Sequence, residues 1–176
     1  MNKTLARSLR FLTGMLIPIA VIWGYNLFKV TLIDWWIPIC VAITLAIITL
    51  AGYKKWSVLT TSTNRLINIL CHMVCIGGLG YTLLLSTNYY FRDKENPKKI
   101  AATIINKYSE TKEQQQRIGR HRYKTNTTQK YYITVSFENG QAKTLSVSPS
   151  TYRRAKDNTI HLTLEKGLFG FSIIQW

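Results

Sequence analysis

Two short patterns in the chain hold residue types that can do chemistry. The first is Cys71-His72-x-x-Cys75. On a helix, Cys71 and Cys75 fall one turn apart and can share a face with Cys40. Thiolate and imidazole together are the ligand set of a soft or borderline metal ion. The residues around them are apolar, and the order is not that of a haem attachment site. The plainer reading is a neutral His72 hydrogen-bonding across a helix interface, with the cysteines as small packing residues. On that reading we expect no metal and no cofactor, with Cys71, His72 and Cys75 as the weak candidates.

The second pattern is Ser109-Glu110-Thr111-Lys112, which has the S-x-x-K spacing of serine acyl-enzymes. The other two elements of that signature are absent, and the four residues sit at a strand end rather than on a helix. His121 and His161 have no acid or nucleophile placed beside them in a recognisable pattern. Gly77, Gly78 and Gly80 look like a fragment of a nucleotide loop, but they lie in an apolar run with no strand before them. Small residues there, like Ala42 and Ala46, let helix backbones approach closely. The expectation is no catalytic residue and no enzyme.

A third set points to binding. Lys112, Arg117, Arg120, Arg122 and Lys124 cluster around His121 and Tyr123. Basic residues beside an aromatic occur in nucleic-acid sites, and near a membrane they rest on anionic headgroups. A solvated hairpin extension has the same composition. The expected partners are membrane lipid and a protein, or a second copy of the chain, and not nucleic acid.

What must position these residues is a chain of two unlike parts. The formal net charge is +15. Residues 1–91 carry seven Lys/Arg against Asp34 alone, and residues 92–176 carry sixteen against seven acids. The first part holds three apolar runs, read as spans over about 9–28, 35–53 and 66–88. A helix crosses a hydrocarbon core of ~30 Å with about 20 apolar residues, and these runs lack the polar face of a soluble core helix. Arg7 and Arg10 before the first run fit a signal peptide, but no small-residue cleavage site follows, so the run reads as a retained anchor. Pro18 is expected to kink the first helix, and Pro38 falls where its missing N–H costs little.

Tyr25, Trp35, Trp36, Tyr89 and Tyr90 mark one interface, and Tyr53 and Trp56 the other. Lys3, Arg7, Arg10, Lys54, Lys55 and Arg65 then lie on one side. The positive-inside rule makes that side cytoplasmic and leaves residues 92–176 outside. Arg92, Lys94, Lys98 and Lys99 vote the other way. The cysteines all sit in apolar runs and give no disulfide framework.

From Ile100 the period becomes alternating. In residues 131–137, Tyr131, Ile133, Val135 and Phe137 line one face. Asn139-Gly140 is a strong type I′ hairpin signal. Leu145 and Val147 return on the apolar face, Ser148-Pro149 opens a helical turn, and Ile160, Leu162 and Leu164 alternate before a last apolar strand. The fold class expected is membrane α + β: three transmembrane helices, a linker over 92–99, and a small antiparallel β-sheet or partly open barrel, SH3-like or OB-like, over 100–176 with a basic insertion at 109–129.

Residues 147–174, through Ser148, Tyr152, Asp157, Lys166 and Gly167, resemble the tail of a group of uncharacterised bacterial membrane proteins in which a few transmembrane helices precede a small β domain. The resemblance covers about a third of the chain, including the preceding hairpin. It implies a bacterial envelope and a β module, and no activity. The function expected is a non-enzymatic protein of the bacterial inner membrane that presents its β domain to a protein or envelope component. An immunity protein against a membrane-acting toxin, or an accessory subunit of a membrane protease or transporter, are the alternatives.

Overall fold

The computed structural model describes residues 3–117, 123–138, 140–155 and 158–175. The fold is α + β, in two compact units: Met1–Pro97 with Glu165–Ile174, and Lys98–Leu164 with Gln175–Trp176.

In the first unit, α1 is Lys3–Val30, α2 is Trp36–Ile48, α3 is Ser57–Thr60 and α4 is Arg65–Tyr90. Two helical stretches are long and apolar enough to cross a membrane, Arg10–Val30 and Arg65–Tyr90. α1 runs unbroken through Pro18, and Pro38 lies in the first turn of α2, where its ring removes no helical hydrogen bond. Phe11, Leu16, Ile19, Leu66, Leu70 and Leu83 turn large apolar side chains outward, as a lipid-facing helix does.

The second apolar run is not one straight helix. α2 has 13 residues, about 20 Å of helix against a hydrocarbon core of ~30 Å. After Thr49 the chain tightens into a 3-10 segment, Leu50–Trp56, and the pieces Trp36–Ile48 and Leu50–Thr60 meet at 75°. Among the described residues, membrane-capable helices therefore number two, or three if the bent pair is one span. Local hydrogen bonds shape the break. The Thr49 hydroxyl donates to the Leu45 carbonyl at 2.7 Å, and Gly52 donates its N–H to the Thr49 carbonyl at 3.0 Å, a three-residue step that draws the backbone out of the α register.

α1 and α4 run parallel. Their contacts advance together, from Ile17 against Gly78 to Gly24 against Tyr81 to a buried cluster of Leu27, Ile33 and Leu85. Gly78 is what permits this approach: a β-carbon there would lie 2.9 Å from Val21 Cγ2. The Thr82 hydroxyl donates across the seam to the Ala20 carbonyl at 2.9 Å. At the opposite end, Arg10 Nε donates to the Val58 carbonyl at 3.0 Å. The bent α2–α3 stretch thus returns the chain from the end of α1 to the start of α4.

The connector after α1 forms a two-residue strand, β1 (Thr31–Leu32), which pairs antiparallel with β6 (Ser172–Gln175) through Thr31↔Ile173 and Leu32↔Ser172. The neighbour of β6 is β5, Thr159–Lys166.

In the second unit the strand order is β5-β2-β3-β4, with β2 Asp93–Arg117, β3 Tyr123–Ser136 and β4 Ala142–Val147. Ile133, Val135, Phe137, Leu145, Val147 and Leu162 are buried, the apolar faces expected from their alternation. The β3–β4 hairpin closes with Phe137 N–H donating to the Gln141 carbonyl at 2.9 Å and Gly140 at φ 79, a conformation that glycine adopts without penalty. Asn139 of the expected Asn-Gly turn lies outside the described residues. α5, Pro149–Arg154, is capped by Ser148, whose Oγ accepts from the Thr151 N–H at 3.1 Å. α5 packs on the sheet through Tyr152 against Tyr131, ring centroids 4.9 Å apart.

β2 and β3 form one antiparallel ribbon, paired in register from Thr103↔Ser136 to Arg117↔Tyr123, with a single bulge on the β2 side between Ile104 and Asn106.

Candidate functional site

Polar chemistry in the helical unit gathers where the second run breaks. Asn64, Asn68 and His72 recur at four-residue spacing and so share one stripe of α4. Asn64 caps the helix, its Oδ1 accepting from Leu66 N–H at 2.9 Å. Asn68 is buried. Its Oδ1 accepts from the Thr60 hydroxyl at 2.5 Å, and its Nδ2 donates to the Ser62 carbonyl at 3.0 Å.

His72 is 2% exposed, and both of its ring nitrogens are engaged. Trp56 Nε1 lies 2.7 Å from Nδ1. An indole nitrogen only donates, so Nδ1 accepts and the ring proton sits on Nε2. Nε2 faces the Ala46 carbonyl and the Thr49 hydroxyl, each at 3.1 Å. The Thr49 hydroxyl has given its own proton to Leu45, so it is free to accept. This arrangement fastens the bent segment to α4 at two levels, Asn68 holding Thr60 and Ser62, and His72 holding Thr49 and Trp56. Asn68 and His72 are themselves buried, where an unmade hydrogen bond is costly.

Cys71 and Cys75 do meet, with sulfurs 3.9 Å apart, whereas Cys40 is exposed on α2. Cys71, Cys75, Thr60 and Arg10 line a groove of about 280 Å³. His72 points away from the two sulfurs into the Trp56–Thr49 contacts. Among the described residues, no three His, Cys, Asp or Glu side chains converge as a ligand set. A second groove of about 330 Å³, lined by Val21, Ala42, Ala46, Met73, Gly77 and Tyr81, is almost wholly apolar.

The end of α4 carries a further polar contact. Asn88 is fully buried. Its Nδ2 donates to the Phe171 carbonyl and its Oδ1 accepts from the Phe169 N–H, both at 3.1 Å. One turn on, Arg92 pairs with Glu165, donates to the Tyr89 carbonyl at 2.8 Å and stacks over the Tyr89 ring. Sequence reasoning missed Asn68, Asn88 and Arg92–Glu165. The four-residue spacing of Asn64, Asn68 and His72 was a usable signal, but nothing local announces Asn88.

In the β unit, Lys112 stands opposite Thr128, and Lys130 opposite Glu110, on one face of the ribbon. Arg117 and Lys124 occupy the last rows of the ladder. Arg120, His121 and Arg122 lie outside the described residues. Every described side chain at 109–115 and 125–130 is exposed. Ser109 and Lys112, three residues apart on an extended strand, point to opposite faces, about 10 Å apart along it. Ser109 Oγ accepts instead from Gln129 at 3.3 Å, and His161 is exposed on β5. Tyr108 and Tyr132 stack with centroids 5.1 Å apart. Lys107 donates to the Tyr152 and Ala155 carbonyls, at 2.9 and 2.5 Å, which ties α5 to the ribbon's base.

At the head of β2, the Asp93 carboxylate accepts from Asn96 Nδ2 at 3.1 Å and from the Glu95 N–H at 2.9 Å. These bonds, the Asn96 one foremost, hold its pKa below the usual carboxylate value.

No protein-family model, curated protein or solved structure matches this chain.

Proposed function

We propose that this protein is a non-enzymatic recognition protein of a bacterial cytoplasmic membrane, anchored by its helices and presenting the β unit to a protein or envelope component. The observation that carries the reading is the β2–β3 ribbon. It continues as a paired ladder to Arg117↔Tyr123, while the described side chains along that extension stay exposed. A strand pair that buries no apolar surface contributes little to its own fold, so its length calls for another use. Lys112, Arg117, Arg120, Arg122 and Lys124 give it a basic character suited to an acidic partner.

We read the anchor as three crossings. Parallel α1 and α4 require the bent α2–α3 stretch to return the chain between them, which supports counting it as a span. The N-terminus is then cytoplasmic and the β unit extracytoplasmic, by the charge of residues 3–10 and 54–65. An SH3-like or OB-like closure of the β unit is part of the same reading.

The test is affinity capture from detergent-solubilised membranes, comparing the full chain with a variant in which residues 109–129 are replaced by a two-residue turn. A partner retained by the first and lost from the second is the expected result. Identical recoveries from both would overturn the reading.

A further inference from the structure

The turn between β5 and β6 contains Gly167-Leu168-Phe169-Gly170-Phe171, a run without one polar side chain. Turn tips in water favour Asn, Asp, Ser, Pro and Gly. Here the tip residues are large and apolar, and Leu168 and Phe169 are 55% and 50% exposed.

The polar backbone of the turn is satisfied within the protein. Gly170 donates its N–H to the Gly167 carbonyl at 2.9 Å, and Gly167 donates to the Phe171 carbonyl at 3.0 Å. The Phe169 N–H goes to Asn88 Oδ1 at 3.1 Å, and Asn88 Nδ2 gives the Phe171 carbonyl a second donor. A turn in water finds such partners in the solvent. A turn in contact with lipid must find them in the protein, and the fully buried Asn88 supplies them.

The same contacts fix where the tip stands. Asn88 lies two residues before Tyr90, the end of α4, which is about 3 Å of helix. A turn deeper, Leu85 packs with Leu27 and Ile33, and Phe171 packs against that cluster. β6 pairs with β1, which follows α1 directly. The tip is thus level with the ends of both membrane-capable stretches, Arg10–Val30 and Arg65–Tyr90. Trp35, Trp36, Tyr90 and Phe91 are exposed at that end, and Lys29 lies over the Tyr25 ring. Rings and cations gather in this way at the edge of a hydrocarbon core.

We propose that the Leu168–Phe169 tip is a membrane-insertion loop that enters the bilayer interface beside α4 and contacts phospholipid acyl chains. Position selects the occupant: a tip pinned to the last turn of a spanning helix has lipid as its neighbour. The proposal takes from the preceding reading only that α1 and α4 span a bilayer. It is independent of what the β2–β3 ribbon recognises.

The test uses the full chain with Cys40, Cys71 and Cys75 replaced by alanine, in vesicles of phosphatidylcholine and phosphatidylglycerol. Leu168→Cys and Phe169→Cys are each labelled with a polarity-sensitive fluorophore. Leu83→Cys, on the outward face of α4, is the lipid reference, and Ser146→Cys, exposed on β4, is the water reference. Labels at 168 and 169 should emit to the blue of the Ser146 label and resist aqueous iodide. They should also lose most of their emission to phospholipid spin-labelled high on its acyl chain. Emission and iodide access matching Ser146, while lipid quenches the Leu83 label, would overturn insertion and leave the spanning helices intact. Iodide reaching Leu83 as readily as Ser146 would overturn both.

The unaltered chain gives a second readout. In the same vesicles, doped with a phospholipid carrying a diazirine on its acyl chain, illumination should place adducts on Leu168 or Phe169 of the tryptic peptide that begins at Gly167. Adducts on α4 with none on these two residues would overturn the proposal, whatever the cysteine variants do.

Discussion

Asn88 stands against Gly167 with no room for a β-carbon between them. The amide at the end of α4 satisfies Phe171 and Phe169 on the β5–β6 turn, so a helix side chain does the work of a strand partner. Gly167 itself donates its N–H to the Phe171 carbonyl at 3.0 Å, and Gly170 turns the chain at φ 85.

Two substitutions test this contact. Asn88→Ala takes the acceptor from the Phe169 N–H and one of two donors from the Phe171 carbonyl, which keeps the Gly167 N–H, a loss of about 1 kcal/mol or somewhat more. Gly167→Ala drives a methyl into the Asn88 amide, and overpacking of this kind costs about 1–3 kcal/mol. Both variants should lower the thermal midpoint in detergent. The double variant Asn88→Ala/Gly167→Ala should lose less than the sum, since removing the amide makes room for the methyl. Strict additivity would show that the two residues do not act on one another.

The His72 assignment has a spectroscopic consequence. With Trp56 donating to Nδ1, the ¹⁵N shifts of His72 should show an unprotonated Nδ1 and a protonated Nε2. Trp56→Phe keeps an aromatic ring but removes the donor, leaving Nδ1 buried and unpaired at a cost of about 1–3 kcal/mol. A shift pattern with the proton on Nδ1 would contradict the geometry.

Asp93 gives a pH dependence of known sign. Its folded-state pKa is lowered, first by the Asn96 side chain and then by the Glu95 N–H. The bonds at the head of β2 are therefore fully present above the unfolded carboxylate value of about 3.9 and are lost as the pH falls through the lower folded value. An NMR titration should place the Asp93 carboxyl below the usual range, and Asn96→Ala should move it upward. No movement would mean that the Asn96 bond is not the main cause.

How much of the structure could be read from the sequence divides along physical lines. Local signals read well. The alternation of Ile133, Val135, Leu145 and Val147 marked the buried face, and Ser148-Pro149 marked a helix start. The close helix approach at Gly78 also followed from residue size. What escaped were features set by partners distant in the chain. The break after Ile48 is held by Trp56 and Thr49 on His72, and the β5–β6 turn by Asn88 some eighty residues earlier. Residues 109–117 concealed their strand because both faces are polar, and hydrophobic periodicity vanishes when nothing is buried. The basic residues were identifiable by type, but their ladder was not.

The proposed topology depends most on the bent α2–α3 stretch being a crossing that returns the chain. The direct measurement is cysteine accessibility in a background with Cys40, Cys71 and Cys75 replaced by alanine. Single cysteines at Ser8→Cys, Thr63→Cys and Glu95→Cys are probed with a membrane-impermeant maleimide before and after permeabilisation. Three crossings predict that position 95 labels in intact cells and that positions 8 and 63 label together only once the membrane is opened. Labelling of positions 8 and 95 from the same side would contradict them, because the bent pair would then enter and leave by one face.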